Sequence, residues 1–293
     1  MMLDGFLCGD YIMSIELPEA NILAKQMSSE LRGKQIKFCE LRDYQKLQRI
    51  GFINKNLSGF DRLSGSRVES VVSRGNVIRV KLDNGMNLLL APEYGGKILY
   101  YTKNSIVPEK FHFKLCFSDY TVLTVALTGM GVIQALKDDE LENSYVYKRD
   151  FISTAASPMD EKEFTFEQFV KNLTDKTVNI KSAIVGKEAV VVGLSNSAFQ
   201  DILYRAKIHP KRKALDLTES QKRALYDAIK LVIQKRIQSG GKNQFIDLYG
   251  KQGKYTPAMG PNMKDQICPT CGTKVEKLSL GGGQIYLCPK CQI

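Results

Sequence analysis

GLSNSAFQDILYRAKIHP, residues 193–210, joins a turn, a helix and a basic cluster in one short stretch. Gly193, Leu194, Ser195 and Asn196 form the turn, and helical spacing follows from Ser197 to Ala206. Lys207, Lys211, Arg212 and Lys213 gather just beyond it. A turn that opens onto a helix start offers free N–H donors to an anion without needing a positive side chain. Asn196 taken alone reads as an ordinary N-cap, so the neighbourhood must decide between capping and anion contact.

The charge distribution favours an anion. The chain of 293 residues carries 42 basic and 31 acidic side chains, a formal charge of +11. Residues 1–180 hold 23 of each sign, whereas residues 181–293 hold 19 basic and 8 acidic. A neutral first half and a basic second half point to nucleic acid, ahead of an anionic membrane surface. No run of 18 apolar residues is present, so no membrane span is expected. The opening MMLDGFLCGDYI lacks the basic and apolar regions of a secretion signal, which makes a cytoplasmic location the expectation.

Upstream, Pro18 suits a first helical turn, and Ala20, Leu23, Ala24, Met27 and Leu31 continue an apolar stripe up to Gly33. From Gln35 to about Ala135 the texture becomes β-rich: VESVVS, NVIRVKLDNG, MNLLL, KILYY, HFKLCFSD and YTVLTVAL, with hairpin turns expected at Asn84-Gly85 and Ser118-Asp119. Helices are expected at 166–173, 182–192 and 197–206. The strongest runs from Glu219 to Gln238, opened by Thr218 and Gln221 as a capping box and closed by Gly240-Gly241. The fold class is therefore α+β: an antiparallel β-sandwich with a flanking helix, then a helical half, then a finger. The expected division is 13–135 for the sandwich, 136–165 for a linker, 166–255 for the helical domain and 262–293 for the finger.

The finger rests on cysteine spacing. Cys8, Cys39 and Cys116 stand alone, while Cys268, Cys271, Cys288 and Cys291 form two C-x2-C pairs sixteen residues apart. Two such pairs each hold one side of a tetrahedral zinc ion, and four thiolates leave no place for a water. One structural zinc is expected, with no hydrolytic role.

The order of these motifs, ELPEA at a helix start, a β-rich half, GLSNSAFQDILYRAKIHP, a long helix closed by GG and a tail ending CPKCQ, resembles the formamidopyrimidine-DNA glycosylase and endonuclease VIII family across residues 15–293. The resemblance implies a helix-two-turns-helix motif and double-stranded, damaged DNA lying between the halves. It also implies that Asn196, Gly193 and the neighbouring amides hold a phosphate, helped by Lys207 and Lys211. Family members attack C1′ of the damaged nucleotide with the α-amine of an N-terminal proline, and the glutamate after it moves protons.

Here the resemblance breaks at the chemistry. Ile15 stands at the proline position, followed by Glu16, with Glu19 further on. A chain starting after Met13 would place the amine on Ser14, one residue out, where an amine with a pKa of about 7.7–8.0 suits attack better than a lysine. Glu16 and Glu19 serve either as proton carriers or as negative charge at a helix N-terminus. In Ser73-Arg74-Gly75-Asn76 the family's lysine has become Asn76, and in Thr128-Gly129-Met130-Gly131 its arginine has become Gly129, leaving Met130 as an apolar wedge. The arginine at the finger tip is Gly283, with Gln284 beside it. Two functions follow: a base-excision glycosylase with abasic-site lyase activity, or a catalytically silent protein that recognises damaged or distorted DNA. A monomer is expected in either case.

Overall fold

The structure is a computed structural model that describes residues 15–93, 95–128, 130–186 and 189–293. Ser14 and Gly129 lie outside the described residues. Helix α1 (Leu17–Leu31) carries Pro18 in its first turn, and the Glu16 backbone N–H donates to Glu19 Oε2 at 3.2 Å, closing that turn. Its apolar stripe, Ala20, Leu23, Ala24, Met27 and Leu31, is buried as the spacing requires.

Eight strands follow, interrupted after the first by two short helices: β1 (Ile36–Leu41), α2 (Tyr44–Arg49), α3 (Ser58–Asp61), β2 (Val68–Arg74), β3 (Val77–Leu82), β4 (Met86–Pro92), β5 (Lys97–Tyr101), β6 (Phe113–Phe117), β7 (Val122–Ala126) and β8 (Gly131–Lys137). They form two four-stranded antiparallel sheets, ordered β1-β6-β7-β5 and β2-β3-β4-β8. Ile78, Val80, Leu88 and Leu90 on one sheet share a core with Phe113, Leu115, Leu123 and Val125 on the other. Both expected hairpin turns are present, at residues 83–85 and 118–120. The short helices carry no sequence signal strong enough to mark them, yet Leu47 and Phe60 join the same core, Phe60 lying 5.6 Å from the Phe113 ring.

Strand β4 is buried along its whole length. Its outer face packs Leu89 and Ala91 against Leu141 and Val146, so the chain after β8 is packed on the sheet rather than loosely spanning a gap. This segment includes α4 (Tyr145–Tyr147) and the Arg149-Asp150 pair that enters the site.

The helical half comprises α5 (Phe166–Thr174), α6 (Ile180–Val185), α7 (Asn196–Ala206) and α8 (Glu219–Gln238). Thr218 and Gln221 form the expected capping box, with each side chain bonded to the other residue's backbone N–H. The helix expected over 182–192 is shorter and earlier. It ends at Gly186, because Val190 to Val192 run extended beside Ala156, whose N–H donates to Val190 at 2.9 Å and whose carbonyl accepts from Val192 at 3.0 Å. A β-branched run after a glycine prefers that arrangement to a helical one.

The chain closes with β9 (Glu276–Leu280) and β10 (Gly283–Leu287), an antiparallel hairpin. Gln200 on α7 accepts from the Tyr286 N–H at 2.7 Å, and the Gln292 side chain donates to the Ile208 carbonyl at 3.0 Å, so both ends of the hairpin are seated on α7 and its exit. No helix among the described residues is long and apolar enough to cross a membrane.

Candidate nucleic-acid site and metal centre

Three sequence motifs meet at one point. The Leu17 N–H donates to the Gly193 carbonyl at 2.8 Å, tying ELPEA to the GLSN turn. Gly193 has φ +73°, and a Cβ there would sit 2.5 Å from the Gly75 Cα and 3.0 Å from the Leu17 Cβ. Only glycine permits that approach of backbone to backbone. The result is a cleft of about 880 Å³ with Ile15, Glu16, Asn76 and Glu93 on one side and Gly193, Leu194 and Ser195 on the other.

Glu16 and Glu19 are buried, and both pair with one cation. Arg236 from α8 reaches across to both: its Nη1 contacts Glu16 Oε2, while Nε and Nη2 bracket Glu19 at 3.0 and 2.8 Å. Ser195 donates its hydroxyl to Glu16 Oε1, and the Ala198 N–H approaches the same oxygen at 3.4 Å. Burial pushes the Glu16 carboxyl up, but the charges of Arg236 and Lys242 and the hydrogen bonds from Ser195 and Arg236 outweigh it and hold it below its usual range. The pair therefore fastens the start of α1 to α8. Arg236 carried a sequence signal that went unread: a cation between Ile233 and Ile237, on the apolar face of a helix, needs a buried anion.

Asn76, at the position of the missing lysine, does not leave the cleft without a cation. Arg149 Nε and Nη2 clasp Asp150 at 2.7 and 3.0 Å, and Nη2 also donates to Asn76 Oδ1. Arg74 secures this segment from behind, donating to the carbonyls of Asp150 at 2.7 Å and Ala155 at 3.0 Å and pairing with Glu163. Glu93 lies beside Arg149, and burial raises its pKa above the ordinary value.

Asn196 is the first residue of α7, and the N-cap is Ser195, whose hydroxyl accepts from Ser197 at 3.4 Å. Capping therefore does not account for the Asn196 side chain. Its Oδ1 is buried without a hydrogen-bond partner, and a Cβ on Gly283 would come within 2.3 Å of Nδ2. The finger tip thus rests directly on Asn196, and a side chain at 283 would require the Asn196 amide to move. Lys181 completes this corner, donating to the carbonyls of Leu280 and Gly281. Gln284 is exposed on the adjoining strand, and Met130 is 47% exposed on a turn whose carbonyl accepts from the Glu93 N–H at 3.2 Å. Lys207 and Lys211 are not brought to this corner. They lie at the other end of α7, about 16 Å from Asn196 along an eleven-residue helix.

The sulfurs of Cys268, Cys271, Cys288 and Cys291 all lie within 4.8 Å of one another, with 3.8 Å between Cys268 and Cys291 and 3.4 Å between Cys271 and Cys288. Zinc–sulfur bonds of about 2.3 Å in a tetrahedron require sulfur–sulfur edges of about 3.8 Å, so the donor set fits that ion. Two C-x2-C turns joined by a β-hairpin hold it.

A β-sandwich joined to a helical half and a four-cysteine hairpin, with a cleft between the halves, accompanies matches to the two domain models of a DNA glycosylase family. Residues 15–128 match the formamidopyrimidine-DNA glycosylase N-terminal domain, and residues 155–246 match that enzyme's H2TH domain. The chain belongs to the formamidopyrimidine-DNA glycosylase and endonuclease VIII family. It is 29% identical over 285 residues to a formamidopyrimidine-DNA glycosylase of Streptococcus pneumoniae serotype 4, and 26% identical over 286 residues to that of Bacillus subtilis. Both alignments span 94% of this chain and 98% of the relative. The fold is shared with Lactococcus lactis Fpg in complex with abasic-site DNA, at a TM-score of 0.80 and 23% identity, covering 94% of this chain and 99% of that one.

Proposed function

We propose that this protein binds damaged double-stranded DNA, with the altered nucleotide turned into the cleft between Ile15-Glu16 and the GLSN turn. The observation that carries this reading is the Asn196 side chain at the start of α7, whose Nδ2 donates to no described residue, in the corner formed with Lys181 and the finger tip. A DNA phosphate placed there meets an amide donor, a cation and helix N–H groups together. One zinc ion held by Cys268, Cys271, Cys288 and Cys291 keeps the finger folded against α7, and Met130 fills the duplex where the nucleotide leaves. Lys207, Lys211 and Gln284 add contacts further along the backbone. The working division is a sandwich over 13–135, a connecting segment over 136–165, a helix-two-turns-helix domain over 166–255 and a finger over 262–293, acting as a monomer.

The same names point to a substrate class, since the relatives are glycosylases and the Lactococcus lactis protein was captured on abasic-site DNA. Fluorescence anisotropy with a duplex carrying a tetrahydrofuran abasic analogue, compared with the intact duplex, tests the reading. At least tenfold preference for the abasic duplex is expected, with affinity falling steeply as salt rises. Equal, salt-insensitive affinities would refute it.

Catalysis is a separate matter. Ile15 has no free amine within a peptide chain, and the Glu16 carboxylate is occupied by Arg236 and Ser195. We assign any excision to the Ser14 amine of a chain that begins there. That nitrogen would bond to C1′ as the base departs, opening of the sugar would give the Schiff base, and β-elimination would expel the 3′ phosphate. Glu19 is saturated by Arg236 and does not serve this step. Borohydride trapping on an abasic duplex, with chains starting at Met1 and at Ser14, tests it. An adduct confined to the shorter chain supports the assignment, and no adduct from either leaves a protein that recognises damage without cutting.

A further inference from the structure

One face of α7 carries the finger. Asn196, Gln200 and Tyr204 recur at four-residue spacing and therefore share that face. Asn196 lies under Gly283 at the finger tip. Gln200 is buried, donates to the Asn196 carbonyl at 2.9 Å and accepts from the Tyr286 N–H at 2.7 Å. The Tyr204 hydroxyl, about two turns on from Asn196, stands 3.2 Å from Cys268 Sγ and 2.7 Å from Thr270 Oγ1.

The direction of these hydrogen bonds follows from the chemistry of the metal ligand. A cysteine that holds a metal is a thiolate, has no proton to give and can only accept. Tyr204 therefore donates to the Cys268 sulfur, and the Thr270 hydroxyl donates to the Tyr204 oxygen. The other sulfurs take their neighbours from the finger: Cys288 Sγ accepts from the Cys291 N–H at 3.4 Å, and Cys271 Sγ lies 3.3 Å from the Thr273 hydroxyl. Tyr204 instead belongs to the helical half. Four thiolates bring more negative charge than one divalent ion neutralises, and Cys268 and Cys288 are buried, so a hydroxyl donor on one sulfur offsets charge that water does not reach.

We propose that Tyr204 is a positioning residue of the metal centre: its O–H donates to the Cys268 thiolate, fixes that ligand, and ties retention of the metal to the helix that opens on Asn196. The inference rests on the reading that a divalent metal is held by the four cysteines. It gives α7 two tasks, the phosphate corner at its first residue and a grip on the metal centre about 12 Å further along. Groups that orient a metal ligand from outside contribute about ten- to hundredfold to metal affinity. Loss of the Tyr204 hydroxyl therefore loosens the metal while the ring keeps its packing against the finger.

The test uses the full chain loaded with cobalt(II) or with zinc. A hydrogen bond to a thiolate lowers the energy of its lone pairs, so the sulfur-to-cobalt charge-transfer band lies at shorter wavelength when the donor is present. Tyr204→Phe is expected to move that band to longer wavelength and to release zinc to a chromophoric chelator about tenfold faster than the wild type. Thr270→Val leaves the sulfur as the acceptor for the Tyr204 proton, and its band should stay at the wild-type position. A band that Tyr204→Phe does not move, an unchanged release rate, or a Thr270→Val band displaced as far as that of Tyr204→Phe overturns the inference. If the wild-type chain gives no cobalt–thiolate band, the reading of the metal centre falls together with the inference. A normal band that Tyr204→Phe leaves in place removes the inference alone.

Discussion

Arg236→Met is the substitution that most directly probes how the two halves are joined. The guanidinium is 1% exposed and neutralises Glu16 and Glu19, which are themselves 1% and 0% exposed. Removing it leaves two buried carboxylates with only Lys242 as a nearby cation while the volume stays nearly filled, so the cost is electrostatic rather than a cavity. Breaking one buried ion pair in this way costs about 3–5 kcal/mol. For a chain of this size that corresponds to a melting temperature lower by on the order of 10 °C. Thermal unfolding followed by circular dichroism measures it. The control is the triple variant Glu16→Gln, Glu19→Gln, Arg236→Met, which replaces three of the four charges, leaving Lys242, and should recover part of the loss, because a buried ion cluster contributes little over a neutral, well-packed one. A fall below about 2 °C in the single variant, or a triple variant as unstable as the single, would refute the view that this triad clamps α1 to α8.

Three further outcomes follow from the same geometry. Because Glu16 is held below its ordinary value of 4.5, its contribution to stability is complete above about that pH and is lost as pH falls through the lowered value; urea unfolding should show this acid loss, and Glu16→Gln should flatten it. Asn196→Ala should weaken binding to damaged and intact duplexes alike by about tenfold, since a phosphate contact carries no sequence information, and unchanged anisotropy titrations would remove Asn196 from the site. Stripping zinc with a chelator should expose amides over 268–292 to hydrogen exchange and weaken DNA binding while the sandwich core stays protected; a tail that remains protected without metal would contradict a zinc-folded finger.

Much of this architecture is legible in the sequence because it depends on local chemistry. The capping box at Thr218, the apolar stripe of α8, the hairpin turns at 83–85 and 118–120 and the cysteine spacing are each fixed within a few residues of chain. The ends of α6 were less legible, because Val190 to Val192 take their conformation from Ala156, more than thirty residues away. The site divides the same way. Ile15, Glu16, Gly193 and Asn196 are named by motif, and their meeting is secured by the contact between Gly193 and Gly75. What the motif could not give is the partner of each charge. Glu16 and Glu19 read equally well as proton carriers or helix-end charges until Arg236 arrives from α8, over two hundred residues away. The cation absent from position 76 is supplied by Arg149, which no periodicity links to Asn76. Grouping Lys207 and Lys211 with Asn196 followed sequence proximity, and the length of α7 separates them.

The central claim is that a damaged nucleotide occupies the cleft between Glu16 and the GLSN turn. Tyr145 lines that cleft and is 74% exposed, so a benzoylphenylalanine can replace it with little disturbance. Photo-crosslinking to a duplex with one abasic site, followed by mapping of the adduct, is the most direct measurement. Crosslinks confined to the abasic nucleotide and its immediate neighbours are the expected result. Crosslinks spread along the duplex, or the same pattern on intact DNA, would contradict the account.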